Sequence, residues 1–270
     1  MRPKKHFTIY KSYKHILATL FLIVVPFLFF LVFAGFAKVA IGELSVSMLD
    51  SLWRMFIAYI ISMVLGNHEI FALALMLGAI EPKSPSTHTL DALFLASDRS
   101  DLINWLRSRP IIIKDKNNIF VHAGILPSWT VDQALDLATQ VHEKLVGLDP
   151  ANFLKEYFEN INNNTNNPDI SLALASFTLM RLVSSKSEIN LNYSGTLQDI
   201  PDNLKPWFKL RDDKATHIFF GHWAALGVYN YKNYHCLDSG CGWGRCLSAL
   251  RLEDRMLFQV DNCDLKYIES

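Results

Sequence analysis

Residues 16–37, ILATLFLIVVPFLFFLVFAGFA, run for 22 positions without a charge, and nothing else in the chain restricts its fold so severely. A helix needs about 20 apolar residues to cross a bilayer, so this run is long enough. Arg2, Lys4, Lys5, Lys11 and Lys14 precede it and would hold the N-terminus on the cytoplasmic side. The run also exceeds the roughly 7–15-residue core of a cleaved signal peptide. Pro26 sits in its middle, where it would kink a helix or break a central strand. The expectation is a helical segment, kinked near Pro26, that anchors in a membrane or projects from the rest of the chain.

From Leu65 onward the pattern changes to that of an α/β domain. Ile111–Ile113 and Ile119–Val121 are short β-rich runs around the turn Asp115-Lys116-Asn117, which reads as a hairpin. Thr130-Val131-Asp132-Gln133 has the form of a capping box, and Val131, Ala134, Leu135, Ala138 and Val141 recur at helical spacing. A helix of about four turns should follow Thr130. Residues 160–169, NINNNTNNPD, are too polar to pack and read as a loop. Strands are expected at His217–Phe220, Val228–Tyr231, His235–Leu237, Leu247–Leu252 and Met256–Val260. The 26 basic side chains equal the 26 acidic ones, so no general basic field exists to attract nucleic acid. The four cysteines, Cys236, Cys241, Cys246 and Cys263, fit neither a zinc site nor a small disulfide scaffold. They read as reduced thiols in a cytoplasmic domain.

Three apolar runs end abruptly in polar groups. Met63-Val64-Leu65 stops at Gly66 and is followed by Asn67-His68-Glu69, with Asn67 a candidate helix cap. IFV runs into His122-Ala123-Gly124, and HIFF into Gly221-His222. Strand ends are where open α/β sheets place their chemistry. A single histidine at such a place is ordinarily a hydrogen-bonded structural residue. Three ends with one grammar offer two imidazoles and an amide oxygen, a borderline ligand set for manganese, iron, cobalt or zinc. His68 would then be free to donate a proton to a leaving oxygen. Metal held in this way suits hydrolysis of phosphoesters or phosphoanhydrides.

GNHE, HAG and GH, in this order, resemble the later motifs of the calcineurin-like metallophosphoesterases. LKPWF (204–208), FFGHWAALG (219–227) and LDSGCGWGRCLSALRLED (237–254) narrow the likeness to the bacterial symmetrical diadenosine tetraphosphatases, over roughly residues 62–260. FTLMR (177–181) is similar to that family's FTRMR, with Leu179 in place of an arginine. The resemblance implies an α/β sandwich of mixed sheets with flanking helices over 62–270, with a largely helical cap at 123–216. It implies that Asn67, His122 and His222 bind one metal of a dinuclear pair, manganese or cobalt, and that His68 is the catalytic acid. The implied substrate is a dinucleoside polyphosphate, diadenosine tetraphosphate, split in the middle to two ADP. Arg181, Lys205 and Arg245 could hold its phosphate oxygens or be ordinary surface charges. Trp223 and Trp243 are expected as core or wall aromatics rather than base-stacking platforms, and Arg251, His217 and His235 as structural residues.

The family's first two motifs, Asp-x-His-Gly and Gly-Asp followed by Arg-Gly, have no counterpart here. Residues 1–61 carry the apolar run instead, and Asp50 in SMLDSLW has no histidine two residues on. Two origins fit: a membrane-anchored relative that has given up one metal, or a shifted reading frame joined to an intact remainder. The competing functional class is a non-catalytic remnant, membrane-associated or nucleotide-binding. Oligomeric state is not legible in the sequence.

Overall fold

A tight turn at Lys116-Asn117, with Lys116 at φ 53°, folds β1 (Ile112–Asp115) back on β2 (Asn118–Val121) as the expected hairpin. The computed structural model that shows it describes residues 64–81, 90–163 and 169–262. These belong to one compact unit, Met63–Ser270. The atypical stretch 1–61, with its apolar run and the kink expected near Pro26, lies outside the described residues, as does Cys263. Among the described residues no helix is long and apolar enough to cross a membrane.

After the hairpin, Thr130 caps a 16-residue helix, Val131–Val146. Its hydroxyl accepts from the Gln133 amide at 3.1 Å, while the Gln133 side chain accepts from the Thr130 amide at 2.8 Å. Among the described residues three helices precede it: α1 (Asn67–Met76), a short α2 (Asp91–Phe94) and α3 (Arg99–Arg107), making Val131–Val146 α4. Ala134, Ala138, Val141 and Leu145 form its buried stripe. Next comes α5 (Pro150–Asn163), with Pro150 in the first turn, where a missing N–H costs nothing. The polar run expected to be loop from residue 160 is therefore helical through Asn163, because the face carrying Leu154 and Tyr157 continues packing. Helix α6 (Asp169–Leu179) is buried on all sides at Ala173, Leu174 and Phe177, and even its Ser176 and Thr178 are covered. Thr178 donates to the Leu174 carbonyl at 2.6 Å, which satisfies its hydroxyl.

A small antiparallel sheet follows, in the order β4 (Ile189–Asn190), β3 (Leu182–Ser184), β5 (Leu204–Pro206). The chain then returns to the main sheet through β6 (His217–Phe220), β7 (Tyr229–Tyr231) and β8 (Tyr234–Cys236). The order there is β1-β2-β6-β8-β7, with β2, β6 and β8 mutually parallel and β1 and β7 antiparallel at the edges. A hairpin of β9 (Cys246–Leu250) and β10 (Leu257–Asp261) closes the described chain. The long crossover from β2 to β6 holds α4, α5, α6 and the small sheet. An aromatic cluster locks the crossover to the main sheet: Trp207 meets Phe220 at 5.1 Å and Tyr234 at 5.7 Å between ring centroids. This is an α/β fold built on a mixed sheet with helices around it.

One expectation is corrected. The apolar run Met63-Val64-Leu65 reads as the end of a buried strand, but Val64 and Leu65 lie in no strand. Leu65 is fully buried, and its amide donates to the Pro110 carbonyl at 2.9 Å. That position is set by burial and this bond, without a strand ladder.

Candidate active site

Because β2, β6 and β8 are parallel, their C-terminal ends open on one side, and the residues beyond each end meet there. His122 follows β2, Gly221-His222 follow β6, and Asp238 follows β8 by two positions. Backbone bonds hold these ends together: the Gly221 amide donates to the His122 carbonyl and the Leu237 amide to that of Phe220, both at 2.9 Å.

Asn67 arrives from another direction, at the first turn of α1. Gly66, not Asn67, is the N-cap, and the Glu69 carboxylate accepts from the Gly66 amide at 2.9 Å. With the helix start satisfied by Glu69, the Asn67 side chain is released to face the strand ends. Its Oδ1 lies 2.9 Å from His122 Nε2 and 3.1 Å from His222 Nδ1. The two rings stand 5.2 Å apart at 54°. A Cβ on Gly66 would sit 2.4 Å from the His122 ring, so the close approach of α1 to β2 requires glycine here.

His222 is held in the left-handed region at φ 64°, a strained backbone for a non-glycine residue. Arg181 donates to the His222 carbonyl at 3.1 Å and to the Tyr193 carbonyl at 3.3 Å, which ties the strained turn to the segment after α6. Burial, and then the charge of Arg181, push the His222 pKa down to about 3. Burial also lowers that of His122, against the opposing pull of Glu69. Both imidazoles are therefore neutral near pH 7, as metal ligands must be.

The fit to a divalent cation rests on these separations. Two neighbouring ligands, each about 2.1 Å from one ion and at right angles, stand about 3 Å apart. Asn67 Oδ1 holds that distance to both ring nitrogens, the spacing of two adjacent ligand pairs. Among the described residues no group of three His, Cys, Asp or Glu side chains gathers for a metal. The donor set depends on the amide.

The three donors line a cleft of about 540 Å³, together with His68, Arg181, Arg245, Asp238 and Trp243. His68 is exposed there, next to Asn67 in sequence but outside the hydrogen-bonded trio. Lys205 is not among the lining residues. It is an exposed position of β5, paired in register with Val183. Trp223 is core, 1% exposed, with its indole N–H donating to the Gly195 carbonyl at 2.8 Å. Trp243, expected as a core or wall aromatic, lines the cleft and is 81% exposed.

Asp238 is the residue the sequence reading passed over. Its Oδ1 accepts from the Gly240 amide at 3.0 Å, and its charge supports protonation of both His122 and Arg181. The signal was present: HCL followed by Asp-Ser-Gly repeats the grammar of an apolar strand ending in a polar group.

Three curated relatives align with about three quarters of the chain. A protein of Nitrosomonas europaea is 36% identical over 207 residues, covering 74% of this chain and 76% of the relative. One of Chromobacterium violaceum is 38% identical over 207 residues, 74% of each. One of Methylobacillus flagellatus is 37% identical over 205 residues, 73% of each. All three are named symmetrical bis(5'-nucleosyl)-tetraphosphatase. This chain belongs to that family. The symmetrical bis(5'-nucleosyl)-tetraphosphatases are hydrolases, and the mixed α/β fold agrees with the metallophosphoesterase class that the motifs resemble. No family model matches the chain. A crystal structure of a candidate diadenosine tetraphosphatase is similar at TM-score 0.46 and 20% identity, over 74% of this chain and 68% of that one.

Proposed function

We propose that this chain binds a divalent cation, manganese or cobalt, through Asn67, His122 and His222, and hydrolyses the central phosphoanhydride of diadenosine tetraphosphate to two ADP. The observation that carries the reading is the convergence of Asn67 Oδ1 on both imidazoles at 2.9 and 3.1 Å. In this reading residues 62–270 form the catalytic domain, with 123–216 as its cap. A bound cation would draw charge from the phosphate oxygens and favour hydroxide over water.

The chain's own residues then have separate tasks. Asn67, His122 and His222 hold their geometry through Glu69 at the start of α1 and Arg181 behind His222. Arg245 lines the cleft where phosphate oxygens would lie. Arg181 spends two of its donors on carbonyls, so it sets the His222 turn as well as adding positive charge. His68 is exposed in the cleft, within reach of solvent for reprotonation, and donates a proton to the leaving ADP oxygen.

A second reading has its own observation. The family's Asp-x-His-Gly and Gly-Asp motifs are missing, and among the described residues no carboxylate-rich cluster replaces them. Turnover should therefore be well below that of the relatives, and the limiting case is a nucleotide-binding remnant. One experiment separates the two. The purified chain is titrated with Mn²⁺ by calorimetry and assayed for ADP release from diadenosine tetraphosphate, alongside His122→Ala and His68→Ala. The proposal expects His122→Ala to abolish both binding and turnover, and His68→Ala to keep binding and lose turnover. Mn²⁺ binding without any ADP release leaves the remnant.

A further inference from the structure

We propose that Trp243 is a stacking platform for a nucleobase of the substrate at the mouth of the cleft. The inference rests on the dinucleotide reading above. An indole 81% exposed is an unfavourable use of the largest apolar side chain, and Trp207 and Trp223 of the same domain are 0% and 1% exposed. Trp105, at 42%, is partly shielded by the guanidinium of Arg109, 5.1 Å from its ring centroid. No ring or cation contact to Trp243 is found among the described residues.

The exposure is imposed by a rigid support. Cys241–Trp243 is a single 3₁₀ turn flanked by Gly240 at φ 74° and Gly244 at φ 79°, both left-handed, where any side chain would be strained. The amides of Trp243 and Arg245 both donate to the Gly240 carbonyl, at 2.9 and 3.1 Å, and Gly244 donates to that of Cys241 at 3.0 Å. The Asn262 side chain adds a bond to the Cys241 carbonyl at 2.7 Å, and Asp238 holds the Gly240 amide. Arg245 folds back so that its Cδ would lie 3.0 Å from a Cβ on Gly240, and its Nη1 donates to the Ala224 carbonyl at 3.1 Å. The turn therefore presents the indole at a fixed place, and its anchor at Asp238 lies on the cleft wall.

Polyphosphate does not explain this feature. Phosphate oxygens are held by cations and N–H groups, which Arg181, Arg245 and a cation on the Asn67-His122-His222 trio would offer. An aromatic face at the rim instead matches a ligand with a π-face. Stacking accepts any base, so the platform should bind adenine and guanine dinucleotides alike. Arg245, two residues on and in the same cleft, would meet the phosphate next to the stacked nucleoside.

The test is equilibrium binding to the full chain with Mn²⁺ present, using ADP and inorganic tripolyphosphate as paired probes. Trp243→Ala should weaken ADP roughly tenfold, the scale of one base–aromatic stack. Tripolyphosphate should bind the variant as it binds the unsubstituted chain, and Trp243→Phe should recover most of the ADP affinity. Equal ADP affinity in Trp243→Ala and the unsubstituted chain overturns the proposal. So does a parallel loss of both probes, which would make the residue a support of the phosphate site. If the unsubstituted chain binds neither probe, the dinucleotide reading itself fails and takes this inference with it.

Discussion

At the scale of single residues, the site depends on a missing side chain as much as on those present. Gly66 allows the first turn of α1 to lie against His122, and a methyl there would stand 2.4 Å from ring atoms. The ring must then turn or shift, separating Nε2 from Asn67 Oδ1. Gly66→Ala should therefore lose Mn²⁺ affinity by at least about tenfold while far-UV circular dichroism stays native, since a 1.4 kcal/mol strain already gives that factor. Unchanged affinity would mean that the site relaxes around the methyl. Gly124 makes a parallel case away from the donors, because a Cβ there would come 2.6 Å from the Trp207 ring. Gly124→Ala should lower the melting temperature by several degrees through overpacking of a buried indole, an effect of about 1–3 kcal/mol. Thermal melts of the two variants should thus differ in kind. That Asn67, His122 and His222 meet was legible from sequence because each follows an apolar run directly or after one glycine. The left-handed backbone of His222 and the reach of Arg181 to its carbonyl were not, since they depend on the packing of a segment 41 residues away.

At the scale of elements, the parallel strands β2 and β6 also carry a side-chain row that takes no part in the cleft. Phe120, Phe219 and His235 lie in register across β2, β6 and β8, stacked at 5.1 and 4.8 Å. His217 Nδ1 meets His235 Nε2 at 3.0 Å, so one proton serves both nitrogens, and His235 Nδ1 donates to Asn230 Oδ1 at 2.8 Å. Burial, then His217, then Arg255 push the His235 pKa down to about 4, and burial lowers that of His217. In the unfolded chain both titrate near 6.5. The folded state binds fewer protons below that pH, so this contribution is full above pH 6.5 and is lost as pH falls toward 4. His235→Phe extends the aromatic row and removes the charge conflict. Urea midpoints between pH 7.5 and 5 should fall less steeply in the variant, and equal slopes would contradict the assignment. Sequence patterning identified these strands to within a residue or two, because alternation and turn residues mark them locally. Helix α6 was legible only as part of a helical region: a helix buried all round has no polar stripe to reveal its period.

At the scale of the whole molecule, Asn67, His122 and His222 meet in one cleft of a chain whose sequence lacks Asp-x-His-Gly and Gly-Asp. The alignments cover 73–76% of the relatives, and residues 1–61 of this chain carry the apolar run. Asn67, His122 and His222 come from α1 and the ends of β2 and β6, and the hydrogen bonds that tie them together lie within residues 66–222. Cation binding should therefore survive without the relatives' first two motifs, but the carboxylates that would neutralise a second cation are not supplied. Two divalent charges a few ångströms apart repel strongly unless a carboxylate lies between them. A chimera carrying a relative's N-terminal segment in place of residues 1–61 should thus gain a second equivalent of bound Mn²⁺. Its ADP release should exceed that of the present chain by at least about a hundredfold, the scale on which removing one electrostatic element slows an enzyme. Calorimetric stoichiometry and a steady-state ADP assay on the two proteins provide the comparison. If the present chain alone turned over at about 10 per second, the middle of the ordinary enzyme range, the missing motifs would be dispensable. A chimera that binds two equivalents yet remains slow would point instead to Asp238, Arg245 or Trp243, the cleft residues that neither protein's N-terminus supplies.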